Sequence, residues 1–146
     1  MSATMYDAPV ADFARGDLDW ERDTFKVMLV TGDYTPDQSS DATRSDLRGF
    51  EIPASGSYKA GGSELTGRSV VRTDGGVVRL DGGSVEWSGV SAVFRYAIVY
   101  QASGSADSDR LLSYTDFGRA QVVDNARVLL EYDRDGGVVE FVAVAA

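Results

Sequence analysis

The chain has 146 residues and carries 23 acidic against 14 basic side chains, for a formal net charge of −9. This balance argues against direct binding to nucleic acid, where counterion release rewards lysine and arginine. Histidine and cysteine are both absent, which excludes a Ser-His-Asp triad, a disulfide framework and the best zinc ligands. We therefore expect no enzyme activity, no catalytic residue, no cofactor and no metal, and the length predicts one compact unit.

Residues 1–20 are predicted to form a short N-terminal helix or arm ahead of a β domain over residues 21–146. Val10, Phe13, Ala14 and Leu18 have an approximately helical spacing. The first residues lack the basic and apolar regions of a signal peptide, and no run approaches the ~20 apolar residues of a membrane helix. We therefore expect synthesis in the cytoplasm and no membrane partner.

The first strand is predicted over residues 23–31. Phe25, Val27 and Leu29 share one face, and Lys26, Met28 and Val30 share the other, which is apolar enough to be partly covered. A polar loop over 34–45 follows, with one helical turn near 41–44. Two short strand pieces are predicted at 49–52 and 59–60.

Three Asp-Gly-Gly triplets, at 74–76, 81–83 and 135–137, predict tight hairpin turns, because glycine adopts the positive φ values that such turns require. The first two would join strands at 68–73, 77–81 and 84–88. The third would pair residues 127–133 with 138–144.

The segment 92–101 is apolar on both faces apart from Arg95 and is predicted to be a central strand. A polar loop over 102–109 and a strand over 111–115 follow. One core is expected to bury a set of aromatic and aliphatic side chains: Phe94, Tyr96, Ile98, Val85, Trp87, Leu112 and Val128. Eight to ten short strands predict an all-β antiparallel sandwich or jelly-roll-like domain.

Few side chains suggest chemistry. The segment 133–136 resembles the first half of a calcium loop but lacks the distal bidentate glutamate, and Asp107 and Asp109 are no stronger as metal ligands. Gly61-Gly62 lacks the context of a phosphate loop. Outward strand positions are expected for the acids that could form a glycosidase pair: Glu51, Glu64, Glu86, Glu131 and Glu140. A core or interface role is favoured for Trp20 and Trp87 over a sugar-stacking platform.

Five segments, in order, resemble a family of small virion proteins of tailed phages. They are Asp-Thr-Phe-Lys-Val at 23–27, Tyr-Thr-Pro at 34–36, Ser-Tyr-Lys-Ala-Gly-Gly at 57–62, Val-Glu-Trp at 85–87 with the aromatic strand 94–100, and Leu-Leu-Ser-Tyr-Thr-Asp-Phe-Gly at 111–118. The resemblance runs from residue 13 to residue 144. Order and spacing carry it, because no single segment is specific, and it supplies no catalytic residues.

The resemblance implies a structural component of the virion. The leading hypothesis is a capsid decoration or cement protein that binds the exterior of the major capsid shell as a dimer or trimer, with residues 2–20 and 34–48 as contacts. A tail, neck or fibre-base component is the nearest alternative. A carbohydrate-binding β-sandwich, stacking sugars on Trp20, Trp87 or exposed tyrosines, is the alternative from another class.

Overall fold

The computed structural model describes residues 3–73, 75–132 and 137–142. Within this part of the chain are one α-helix, one 3₁₀ turn (Arg44–Leu47) and eight strands. In chain order the elements are β1 (Thr4–Met5), α1 (Ala8–Arg15), β2 (Phe25–Val30), β3 (Ser63–Glu64), β4 (Ser69–Thr73), β5 (Val77–Asp81), β6 (Ser84–Gln101), β7 (Arg110–Glu131) and β8 (Val139–Val142). All strand pairings are antiparallel, which confirms the predicted all-β sandwich-like fold with a short N-terminal helix.

The strands form two sheets. The large sheet has the order β1-β7-β6-β2-β3, and the small sheet has the order β4-β5-β8. The main core lies between them, where Phe25, Trp87 and Leu112 of the large sheet meet Leu80 and Val139 of the small one. Sheets that pack face to face bury alternate residues of each strand in this way.

The large sheet buries part of its second face as well. Met28, Val30 and Ile98 form a second core with Tyr34 and Leu47 from the chain that crosses over them. We call residues 34–50 the cover loop. The two-sided pattern predicted for the first strand is confirmed, because its second face is covered by a loop instead of by solvent.

The central strand is confirmed, but the single core predicted around it is wrong. Phe94 packs in the main core, whereas Tyr96 and Ile98 pack in the second core on the opposite face. The pairing of β6 with β7 shifts register between Phe94 and Tyr96. A β-bulge interrupts strict alternation and re-aims the side chains that follow it, which places these neighbours on opposite faces.

Among the described strands, only β4 and β5 both flank an Asp-Gly-Gly triplet, the first one, and pair with each other. The second triplet links β5 of the small sheet to β6 of the large one, so the predicted hairpin is wrong. Gly82 and Gly83 do not adopt positive φ, and a Cβ on Gly82 would come within 2.9 Å of Leu65. Here glycine serves a close approach between chain segments instead of a tight turn.

The predicted C-terminal hairpin is also wrong. Leu130 pairs with Val85 of β6, and β8 pairs with β5 instead of with β7. Residues 133–136, which include the candidate calcium loop, lie outside the described residues. Val128 and Leu130 do face the main core as predicted.

Three of the minor expectations differ from the structure. The helical turn expected at 41–44 is the 3₁₀ turn at Arg44–Leu47. The strand piece expected at 49–52 is reduced to an isolated bridge between Val30 and Glu51. The strand piece expected at 59–60 is wrong, because these residues lie in a turn region just after the isolated bridge from Ser55 to Tyr58.

The N-terminal segment is packed against the body. Helix α1 ends at Arg15 and is capped by Gly16, whose φ of 80° suits a left-handed cap. Tyr6 is fully buried in the second core, and Leu18 and Trp20 are buried in the main core. Residues 3–20 therefore belong to the folded body and do not form a free arm.

Candidate contact surface and polar cleft

The β6–β7 ribbon carries an exposed apolar pair on its outer face. Val93 and Val122 are directly opposite each other and expose 47% and 76% of their surface. Val93 alternates with Ala92 and Phe94, which contact the main core, so the pair lies on the opposite side of the sheet. This is the face that carries the second core, beyond the area that the cover loop occupies. We call it the ribbon face.

Paired charges flank the two valines. Arg95 donates to both carboxylate oxygens of Asp116, at 2.9 and 3.1 Å. Further along, Arg127 contacts Glu86 in the same two-pronged way. These hydrogen bonds from arginine hold the pKa of Asp116 and of Glu86 below their usual values. The ribbon face is therefore apolar at its centre, with one arginine–carboxylate pair on either side.

A second irregularity shapes the same ribbon. The β6–β7 register also shifts between Val90 and Ala92, where Asn125 has a φ of 46°. The Ser91 hydroxyl donates to Asp124 at 3.1 Å and accepts from the Asn125 backbone N–H at 2.9 Å. Asparagine tolerates the left-handed region better than most residues, so the bulge is fixed by local hydrogen bonds.

A chain of hydroxyls ties the cover loop to the N-terminal segment. The Tyr34 hydroxyl donates to Asp41 at 2.6 Å and lies 2.7 Å from the Tyr6 hydroxyl. Because a hydroxyl has one hydrogen, Tyr6 must donate to Tyr34. Burial is the main cause of the raised pKa of both tyrosines.

Asp46 holds the cover loop at the 3₁₀ turn. Its carboxylate accepts backbone N–H bonds from Ala42 at 2.8 Å and from Thr43 at 3.0 Å. The bond from Thr43 and then that from Ala42 lower the pKa of Asp46. The loop is thus held by an ionised carboxylate as well as by its apolar side chains.

An ion pair joins the cover loop to the 102–109 loop. Arg44 Nε donates to Asp109 Oδ2 at 2.8 Å, and Asp109 is 3% exposed. Burial is the largest single influence on the pKa of Arg44 and lowers it, but the hydrogen bond with Asp109 and the nearby acidic groups together outweigh burial, so the pKa is raised. The other Asp109 oxygen accepts from the backbone N–H and hydroxyl of Ser103. Asp109 is a structural carboxylate, whereas Asp107 is exposed and 3.7 Å from Arg48.

A polar cleft of about 300 Å³ opens beside this ion pair. Its walls include Lys26 of β2, Arg44 of the cover loop and Tyr100 of β6. The Tyr100 hydroxyl donates to the Gly61 carbonyl at 2.5 Å, and burial raises the pKa of Tyr100 to about 12. We call this feature the Lys26 cleft.

Glu51 has an internal structural role instead of the outward strand position expected for it. It accepts hydrogen bonds from the Tyr58 hydroxyl at 2.5 Å and the Gly61 backbone N–H at 2.7 Å. The Tyr58 hydroxyl in turn accepts from the backbone N–H of Leu29. Glu64, Glu86 and Glu140 are exposed as expected, and Glu131 is half-buried.

The aromatic residues expected as alternatives for sugar stacking are not available for it. Trp20 is 3% exposed and donates to the backbone carbonyls of Ser69 and Asp81. Trp87 is 1% exposed and donates to Ser63. Tyr114 is half-buried, and the other described tyrosines are buried. The favoured core role of both tryptophans is confirmed.

Among the described residues, no group of three or more acidic side chains could hold a metal ion. Within the same part of the chain, no helix is long and apolar enough to cross a membrane. Comparisons with protein-family models, with curated proteins and with solved structures find no match for this chain.

Sequence reasoning missed the ribbon face, the Arg44–Asp109 pair and the Glu51–Tyr58 contact. Val93 and Val122 are 29 positions apart, and only the register of β6 with β7 makes them neighbours. One signal was present: Arg95 is the single charge in an otherwise apolar segment, and it stands where the covered face ends.

Proposed function

We propose that this protein is a structural component of a tailed-virus particle, and in particular a decoration or cement protein on the exterior of the major capsid shell. The virion assignment is supported by the five segments between residues 23 and 118 that resemble, in the same order, those of small virion proteins of tailed phages. The ribbon face is the observation that supports an assembly role. An exposed apolar centre suits burial against another protein, and flanking charges that are already paired within the chain cost less to desolvate than unpaired charges do.

The contact surface proposed here differs from the one expected from sequence. Residues 2–20 and 34–48 place Tyr6, Leu18 and Leu47 in the two cores. These segments are occupied in holding the fold. The Val93–Val122 pair has no such role and is open to a partner, which we take to be the major capsid protein.

Point substitutions on the ribbon face test this proposal. Val122→Asp should prevent incorporation into particles, because burial of an unpaired charge is costly. Val70→Asp is the matched control, since Val70 is 44% exposed on β4 of the other sheet. Both variants should fold, as judged by circular dichroism and urea titration. Equal incorporation of the two variants, measured on purified particles, would contradict the ribbon face as the contact.

Copy number separates the capsid shell from the tail, neck or fibre base. Densitometry of purified particles, scaled to the major capsid protein, should give hundreds of copies for a shell position. A ring of ~3–12 copies would place the protein on the tail axis, because closed cyclic rings set small numbers. Absence from particles would refute the virion assignment itself.

A further inference from the structure

The Lys26 cleft has an unusual charge content for so acidic a chain. Lys26 and Arg44 line it against a single carboxylate, Asp109. Both oxygens of Asp109 are already engaged, one by Arg44 Nε at 2.8 Å and the other by the Ser103 backbone N–H at 2.7 Å. The residues that line the cleft therefore carry two positive charges and one negative charge, which leaves one positive charge without a carboxylate partner among them.

Two residues that line this cleft have donor groups without a partner within the described ranges. Arg44 uses only Nε in its ion pair, and among the described residues none accepts a hydrogen bond from its Nη1 or Nη2. The half-buried Lys26 likewise has no ion-pair partner in the described part of the chain. Glu64, its cross-strand partner, lies 4.0 Å from Arg68 instead.

Three other arginines on this protein are more fully engaged. Arg79, Arg95 and Arg127 each direct two guanidinium nitrogens at one carboxylate. The guanidinium of Arg44 is also held over the Tyr100 ring, 5.2 Å from its centroid. Its orientation is therefore fixed by a pair and a ring while part of its fork stays unused.

We propose that the Lys26 cleft binds a carboxylate through the Lys26 ammonium and the Nη nitrogens of Arg44. A volume of about 300 Å³ is at the low end for ligand pockets and suits one small acid or one acidic side chain. The nearby charges of Asp109 and Glu51, which help to raise the pKa of Arg44, favour a monoanion over a phosphate dianion. This inference is independent of the proposed virion role.

The carboxylate could belong to a free organic acid or to an acidic residue of a protein neighbour. The chemistry of recognition is the same in both cases. Acetate and a capped Ala-Asp-Ala peptide are therefore used as separate probes. Saturation at a lower peptide concentration would identify a protein source, and equal saturation would identify a free acid.

The lysine content makes a direct test possible. The chain has only two lysines, Lys26 and Lys59, so protein labelled with ¹³C-lysine gives two Cε signals in an NMR spectrum. Lys59 is exposed and does not line the cleft. Titration with acetate at constant ionic strength should shift the Lys26 signal saturably and leave the Lys59 signal in place.

Substitutions supply the controls. Lys26→Met keeps the apolar stem and should abolish saturable acetate binding. The measurement follows the shifts of the backbone amides of Gly61 and Gly104, which also line the cleft. Lys59→Met should bind as the parent does. The proposal is overturned if Lys26 shifts no more than Lys59 at about 50 mM acetate, far above a millimolar Kd. It is equally overturned if inorganic phosphate saturates Lys26 at a lower concentration than acetate.

Discussion

Three buried tyrosines differ in what their hydroxyls contact, and Tyr→Phe substitutions should rank accordingly. Tyr58, Tyr100 and Tyr132 each expose 1% or less of their surface. Each substitution therefore removes one oxygen and opens no cavity of the size of a side chain. The loss in the free energy of unfolding should follow the number and kind of hydrogen bonds removed.

Tyr58→Phe should be the most damaging. It leaves the Leu29 N–H without its acceptor, at a cost of ~1–3 kcal/mol, and removes a bond to the charged Glu51, worth ~1.5–3 kcal/mol. Allowing for partial relaxation, we expect a loss of ~3–4 kcal/mol. Tyr100→Phe removes one bond to the carbonyl of Gly61, which lines an open cleft, so ~1 kcal/mol is expected.

Tyr132→Phe should be neutral or stabilising by about 1 kcal/mol, because burying an unpaired hydroxyl is unfavourable. Burial raises the pKa of Tyr132, and Thr115 lies near enough to lower it in part. Among the described residues, however, none meets hydrogen-bond geometry with the Tyr132 hydroxyl.

Urea titration checks this ranking. Trp20 and Trp87 both lie in the main core, so their fluorescence reports loss of that core in each variant. The three curves should share one slope and differ in midpoint. A cost for Tyr132→Phe equal to that for Tyr58→Phe would refute the reasoning, because the hydroxyl partners would then not explain the energies.

Three further results are expected. Phe94→Ala should lower the free energy of unfolding by ~3–5 kcal/mol through the cavity it leaves. Glu86→Ala should barely move the urea midpoint, because its exposed ion pair is screened by solvent. Equal damage from the two substitutions would mean that the β6–β7 register is wrong. Deletion of residues 1–19 should lower the thermal midpoint strongly by taking buried side chains from both cores, and an unchanged midpoint would contradict that packing. Because the pKa of Asp46 is lowered on folding, the stabilisation by its carboxylate is complete above about pH 4 and is lost as pH falls through the pKa of the folded state. Amide exchange in the cover loop should therefore become faster at low pH. Asp46→Asn should remove this pH dependence.

Local patterns predicted the strands well, and β2 shows why. A strand has a period of two residues, so Phe25, Val27 and Leu29 must share a face wherever the strand is placed. The same alternation predicted that Val85 and Trp87 are buried and that Glu86 is exposed, and the structure confirms all three. These predictions depend on geometry within one strand and need no knowledge of its neighbours.

Strand partners were predicted poorly, because an Asp-Gly-Gly triplet can either form a hairpin turn or allow a close approach between chain segments. The two uses lead to different strand pairings. Gly75 and Gly76 have positive φ at a hairpin, but Gly82 and Gly83 do not, and the two triplets read identically. No residue pattern in the sequence indicates the bulge between Phe94 and Tyr96. This bulge placed Tyr96 and Ile98 in the second core instead of in the core expected with Phe94.

The site was less predictable than the fold for the same reason. Arg44 and Asp109 lie 65 positions apart, and their pairing requires the cover loop and the 102–109 loop to meet at one end of the sheet. Nothing in either polar segment distinguishes these two residues from their charged neighbours. The contact is therefore a consequence of topology and could not be derived from composition.

The way the second core is built restricts where a partner can bind. Tyr6 from the N-terminal segment and Leu47 from the cover loop complete that core, so neither segment can leave it to wrap a neighbour without exposing apolar surface. Truncating either segment would therefore confuse lost folding with lost binding. The ribbon face lies on the same side of the sheet but is not covered by the cover loop, and its Val93 and Val122 belong to neither of the described cores. A contact there leaves the folded body intact, which is why single substitutions at these valines separate assembly from stability where deletions cannot.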